Sequence, residues 1–348
     1  MFDKAVRLGK RFLLGWMARL AISIALLGFL LTYVDFRVAL DVLRNADPWP
    51  ILLCVLLIAF GRVLVAYRWH LLVRIGNAEV SLSALIRLMF VSSFLSFFMP
   101  GAVGLELLRV YGLARGTTLA LAVSSVLIER LTALCALAAL ALVGLVLAPV
   151  ALPRELSVAA GTILVLISVA LIALFVPRLR GLLLIILRGR TLRPLRRRLE
   201  AIFEQIDHYR ARPRVLVWVA LLSVALQLVR ILEKVVLAPA LGIDIAFTYF
   251  LVLVPISLFL VLLPISVQGL GVRETVYVVL LGVAGVDSAA ALMFSLLGFL
   301  LTTAVATAPG ALLYAYGGLA LSKTPKLGGK ASSNAQVVGP SGIDVTEG

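Results

Sequence analysis

Glu106 and Arg109 stand three residues apart, so on a helix they share a face and can form an ion pair. Arg273 and Glu274 are neighbours, as are Glu129 and Arg130; Arg230, Glu233 and Lys234 fall close together, and Arg68 lies upstream of the first set. All sit in or beside strongly apolar segments. An ionised side chain at the centre of a bilayer costs about 2.5–3.5 kcal/mol on insertion scales, so such residues persist where they pair, face a wet cavity or act on something. Guanidinium groups so placed can neutralise an anion, and neighbouring acids can hold them when no anion is present. Arg109, Glu106, Arg273, Glu274, Arg130, Glu129 and Arg68 are therefore the candidate substrate-binding residues. Plainer roles exist for some of the charges: Arg230 and Lys234 can snorkel to an interface, and Glu129 and Arg130 can tie two helices together. Tyr111 and Tyr277 read as packing residues.

Catalysis finds little to use. There is no nucleophile–histidine–acid set, no zinc spacing and no P-loop. His70 and His208 have no partner at ligand spacing, and Cys54 and Cys135 lie in apolar stretches as small buried hydrophobes. Gly269-x-Gly271 lacks the strand and the following acid of a dinucleotide site. Neither enzymatic activity, nor a cofactor, nor a metal is expected.

The elements that must position these charges are membrane spans. Hydrophobic residues make up 62% of the 348, charged residues 14%, and mean hydropathy is +1.12, too little charge to cover a soluble domain of this size. The net charge of +15 sits mostly between apolar runs, which points to anionic headgroups and the positive-inside bias, and away from nucleic acid. Candidate spans of about 20 apolar residues are 17–34, 49–67, 119–148, 157–176, 214–238 and 288–318. The basic N-terminus (Lys4, Arg7, Lys10, Arg11) leads into an apolar run with no cleavage site, so an uncleaved first span is expected. Two further apolar stretches, 81–116 and 246–283, are interrupted by Pro100, Gly101 and Gly104, and by Pro264, Gly269 and Gly271. Proline removes a donor and glycine frees the chain to turn, so each stretch is predicted to be two half-helices meeting at a bend. Bent backbone at membrane depth must be buried in protein or line a wet cavity.

Charge orients the chain. With a cytoplasmic N-terminus, the mixed 35–48 loop and the short 149–156 loop fall outside. Arg74, Arg87, Arg115, the eleven arginines between 178 and 214, and the tail lysines fall inside, as the positive-inside rule asks. Within 177–213, Leu195, Leu199, Ile202, Phe203, Ile206 and Tyr209 recur at helical spacing opposite the arginines, predicting a basic amphipathic helix on the inner leaflet. Residues 321–348 are expected to form a disordered cytoplasmic tail, following a membrane domain over 1–320.

The two broken stretches resemble each other. Arg109 follows Pro100 by nine residues and Arg273 follows Pro264 by nine; each arginine has an acid beside it and a tyrosine after it, and Arg68 and Arg230 precede the prolines at similar distances. Halves of roughly 49–148 and 214–318 would run in opposite directions through the membrane, an inverted repeat of the kind from which transporters are built, with substrate held where the breaks meet. The expected fold class is thus an all-α polytopic membrane protein with about six full spans and two broken, re-entrant helix pairs.

Tyr67-Arg68-Trp69 with Leu71-Leu72, Pro100-Gly101-x-x-Gly104-x-Glu106-x-x-Arg109, Ser124 and Ser125 with Glu129-Arg130, and Gly269-x-Gly271-x-Arg273-Glu274 occur in this order. Over roughly residues 15–318 the set resembles the transmembrane domain of lysylphosphatidylglycerol synthases and their stand-alone, flippase-like relatives. The resemblance implies movement of lipids between leaflets, of aminoacylated phosphatidylglycerol or of polyprenyl-linked sugars, in a bacterial inner membrane, without the transferase domain of the lysyl-transferring enzymes. Two departures stand out. The first motif usually carries Gly-Gly-Asp, where this chain has Leu105 and Glu106 in the last two places. The second usually reads Gly-Gly-Leu-Gly, and Gln268 replaces its first glycine.

The expected function is a lipid flippase-like transporter for an anionic or polyprenyl-phosphate lipid. The alternative is a non-transporting accessory subunit for a lipid-modifying or glycosyl-transferring enzyme, held through the Arg-rich loop. A homodimer is compatible with either.

Overall fold

The structure is a computed structural model describing residues 17, 21–26, 28, 29, 41, 42, 44–76, 78–99, 104–147, 162, 193–262, 266 and 268–317. Among them there is no strand. Nine α-helices are named here: α1 (Pro48–Ile75), α2 (Leu82–Phe97), α3 (Gly104–Ala114), α4 (Leu119–Leu147), α5 (Arg193–Arg210), α6 (Pro213–Leu237), α7 (Phe247–Leu262), α8 (Val272–Val283) and α9 (Ser288–Gly317). Four of these, α1, α4, α6 and α9, are long and apolar enough to cross a membrane; they coincide with predicted spans 49–67, 119–148, 214–238 and 288–318. Of the other two, 17–34 is helical where it is described and 157–176 lies almost wholly outside the described residues. So do Pro100, Gly101 and Pro264 of the two breaks and the 321–348 tail.

Both interrupted stretches are two helices each, as the proline and glycine positions predict. At 1.5 Å per residue, the 11 residues of α3 and 12 of α8 reach only about 17 Å, well short of a bilayer's apolar core. The ends of the long helices fix where each pair enters. Leu72 and Ile75 at the end of α1, Leu121 and Ile128 near the start of α4 and Val219 near the start of α6 form one cluster. Short connections therefore start α2 and finish α3 at that end. It is the basic end, with Arg74, Arg115, Arg212 and Arg214. The start of α1, the end of α6 and the start of α9 meet at the other end, where the Asp47 N–H donates to the Ala240 carbonyl at 3.2 Å and Asp244 and Asp287 lie. There α7 begins and α8 finishes.

The Asp47 side chain caps α1 by accepting from the Trp49 N–H at 2.9 Å, ahead of Pro48 at the first helical position. α1 and α6 run antiparallel along their length. The register is fixed by Arg68 against Ser223, Gly61 against Val229, and the Cys54 thiol donating to the Glu233 carbonyl at 3.4 Å. Around this pair the contacts are reciprocal: α2 packs on α9 while α7 packs on α4, and α3 packs on α2 and α4 while α8 packs on α7 and α9. Where the hairpin of one half crosses the last helix of the other, a glycine lets the backbones meet. A Cβ on Gly144 of α4 would lie 2.7 Å from the Leu251 carbonyl carbon, and one on Gly310 of α9 would lie 2.7 Å from that of Phe90.

The amphipathic helix expected within 177–213 is α5, and its apolar stripe packs on the chain's own helices at the basic end. Ile206 and Tyr209 are buried, and Ile202 and Phe203 partly buried, against α1, α4 and α6 at the basic end. The stripe that the 3.6 periodicity reveals is covered by the chain's own helices, because the starts of α4 and α6 and the end of α1 offer an apolar floor there. Burial pushes the Tyr209 phenol up to about 12, so it remains a neutral core residue.

Candidate functional site

Glu129, at the end of the third turn of α4, is buried and accepts from two arginines at once. Its Oε1 receives Arg68 Nη2 at 2.9 Å, and its Oε2 receives Arg109 Nη2. Arg68 comes from α1 and also donates to Ser223 Oγ of α6 at 2.8 Å. Arg109 comes from α3 and lies 4.0 Å over the ring of Trp69, a cation–π contact; the Trp69 indole N–H in turn donates to Ser125 Oγ at 3.2 Å. One carboxylate therefore holds α1, α3 and α4 together and fixes the direction of two guanidinium groups. Beside it, Arg130 and Glu106 pair at 3.1 Å.

The expected pairing of Glu106 with Arg109 along α3 does not form. Each acid instead takes a base from the facing helix, Arg109 with Glu129 and Arg130 with Glu106. Neighbouring residues on a helix point about 100° apart, and packing α3 on α4 brings the crossed pairs within reach, so Glu129 and Arg130 each take a partner on α3. Arg68 Nε, Arg109 Nε and Glu106 Oε2 are buried with no hydrogen-bond partner among the described residues, which leaves capacity for a ligand.

The second half repeats the theme with different partners. The backbone enters α8 through Gln268, Gly269 and Gly271, all at positive φ of 51, 79 and 84°. The Glu274 side chain, 0% exposed, turns back to accept from the Gly271 N–H at 2.6 Å, satisfying a free donor of the first turn. It also pairs with Arg273, whose Nε lies 3.0 Å from its Oε1, and Arg273 lies 4.0 Å over the Phe299 ring. Gly271 is also where the N-terminal helical residues touch the core: a Cβ there would meet that of Leu26 at 2.6 Å. Gly104 plays the corresponding part at the start of α3, where a Cβ would lie 3.0 Å from that of Met99. Gln268 stands in a left-handed conformation that favours glycine. Gln268→Gly is expected to raise the thermal midpoint of the detergent-purified protein slightly, a gain of about 0.5–1 kcal/mol; a lower midpoint would contradict this.

The two sets open on one cavity of about 420 Å³ between the halves, within the range of ligand pockets. Arg68, Arg109, Arg130, Glu106, Glu129 and Arg273 all line it; Glu274 stands behind Arg273. Four more charged residues line it too: Arg62, Arg230, Glu233 and Lys234. Arg230 and Lys234 thus face this cavity, and Lys234 Nζ lies where a Cβ on Gly298 of α9 would come within 2.7 Å. Arg62 is the residue that sequence reasoning missed. The available signal was a lone arginine inside an apolar span, six residues before Arg68. Tyr277 is buried on the cavity wall with its ring 5.6 Å from that of Phe294, whereas Tyr111 is exposed.

Counted together, seven cations and three carboxylates line the cavity. Such an arrangement can receive an anion in an otherwise apolar bundle. No curated protein and no solved structure matches the chain. Residues 16–310 match the family described as the lysylphosphatidylglycerol synthase TM region. That span takes in the helices carrying every one of these charges, and the chain belongs to this family.

Proposed function

We propose that the protein is a lipid flippase-like transporter, and no enzyme, which moves an anionic or phosphate-bearing lipid between the leaflets of a bacterial inner membrane. The observation that carries this reading is the excess of cations on a cavity lying between two hairpins that enter from opposite ends. Arg109 and Arg273 neutralise the headgroup phosphate, and their aromatic partners Trp69 and Phe299 keep both guanidinium planes facing the cavity. Glu129 and Glu274 hold the arginines while the site is empty. The acyl or prenyl tails stay in hydrocarbon, so the cavity has to admit only the headgroup.

The reciprocal helix contacts and the lengths of α3 and α8 support an inverted repeat with two re-entrant pairs. Together with the apolar runs at 17–34 and 157–176, they support about six full spans. By the positive-inside rule the basic end, with α5 docked on it, faces the cytoplasm. Both termini then lie on the cytoplasmic side.

Leaflet exchange of labelled phosphatidylglycerol and polyprenyl phosphate in proteoliposomes tests the proposal. Arg109→Ala is expected to reduce exchange about a hundredfold while leaving insertion intact, since it removes a charge-assisted contact where the headgroup crosses. A folded Arg109→Ala protein that exchanges lipid like the wild type would remove the reading.

A further inference from the structure

The ion pairs at Glu129 and Glu106 use Arg68, Arg109 and Arg130, and Glu274 occupies Arg273. Three cavity cations remain, Arg62, Arg230 and Lys234. Among the described residues none of them has a carboxylate within ion-pair distance, although Glu233 shares their stretch of wall.

Their position along the bundle can be read on two helices independently. Arg68 and Ser223 touch and mark one level. Arg62 lies six residues from Arg68 on α1, and Arg230 lies seven from Ser223 on the antiparallel α6. At 1.5 Å per residue these are displacements of about 9 and about 10 Å in the same direction. Contacts between the helices agree, since Gly61 faces Val229 and Glu233. Between the levels, Gln227 donates through Nε2 to the Ala133 carbonyl at 2.8 Å and accepts through Oε1 from Arg230 Nη1 at 3.2 Å. That amide steers the Arg230 head, and the side chain, although in mid-bundle, stays exposed to the cavity.

We propose that Arg62, Arg230 and Lys234 form a second anion station, about 10 Å along the bundle axis from the Arg68–Arg109–Glu129 station. A headgroup phosphate passes from one station to the other. This rests on the transporter reading above and adds its path. Each station has a resident carboxylate, Glu129 in the first and Glu233 in the second. Glu129 grips its arginines directly, whereas Glu233 makes no ion pair with its cations among the described residues.

The test uses the full-length protein in proteoliposomes with acyl-labelled phosphatidylglycerol, alongside equilibrium binding of dioctanoyl phosphatidylglycerol to the detergent-purified protein. Arg230→Gln is the first variant, because this side chain has only an intrahelical hydrogen bond to lose; Arg62→Gln is the second. Each is expected to slow exchange about tenfold or more, the loss of one charge-assisted contact on the path. Binding should stay within about threefold, because the first station is intact. Arg230→Lys should retain most of the exchange, which separates charge from packing. Exchange at the wild-type rate in both Gln variants overturns the second station, as does an equal loss of binding and exchange, which would indicate a single site. If exchange in those experiments also fails to depend on Arg109, the transporter reading falls with it; if it depends on Arg109 and not on Arg230 or Arg62, only the second station falls.

Discussion

Replacing Glu129 with Ala is expected to destabilise the protein by about 3–5 kcal/mol, because it leaves two buried guanidinium groups without their counter-ion. Arg68 and Arg109 are both nearly inaccessible, and neither has another acid in reach among the described residues. The thermal midpoint in detergent should fall by roughly 10 °C. Glu129→Gln should fall between the two, since one amide oxygen can still accept from one arginine while its NH₂ faces the other. Adding Arg68→Met to Glu129→Ala should recover part of the loss, since the cost lies in the uncompensated charge and coupled residues are not additive. A Glu129→Ala protein as stable as the wild type would mean that water or lipid already solvates both arginines, and that the carboxylate does not hold the three helices.

Gly310→Leu should be the most damaging change away from the charges. Even an alanine Cβ would come 2.7 Å from the Phe90 carbonyl carbon, against backbone that cannot swing aside as a side chain can. The α2–α9 crossing must open to admit four carbons, and the cost should exceed the about 1–3 kcal/mol usual for overpacking. Gly144→Leu should behave similarly through Leu251. Gly282→Leu is the control, because nothing lies within 4 Å of a Cβ there. Thermal midpoints of the three purified variants decide it: Gly310→Leu unfolding together with Gly282→Leu would show that the crossing is looser than the backbone contact implies.

Hydropathy made the long helices and the two interruptions legible, since a span needs a run of apolar residues and proline with glycine ends one. Charge asymmetry separated the two ends of the bundle for the same reason: arginines are costly to translocate and stay on one side. The residues of the site were legible too, because a charge in an apolar run needs an explanation. Their partners were not. Spacing along the chain suggests Glu106 with Arg109, but the pairing that forms is set by how α3 lies on α4, which no local pattern records. Arg62 carries the same signal, a lone arginine inside an apolar span, whereas the partner of α5 has none: periodicity identifies a buried face and is silent on what buries it. Gln268 is the converse case, a departure from the usual glycine that falls on a backbone position of positive φ.

The reciprocal packing of α2 on α9 and of α7 on α4 also sets an order of assembly. Every member of the Arg68–Glu129–Arg109 clamp has been synthesised by residue 129, so the first half can neutralise its charges early. Its hairpin cannot be seated until α9 emerges, about 220 residues after the end of α2, or roughly 10–40 s at ordinary elongation rates. During that interval the outer face of α2, with the bare backbone at Phe90, has to be covered by lipid or by the insertion machinery. A nascent chain stopped before residue 288 would hold a complete charge clamp on an unseated hairpin, and a quality-control protease would find its target there.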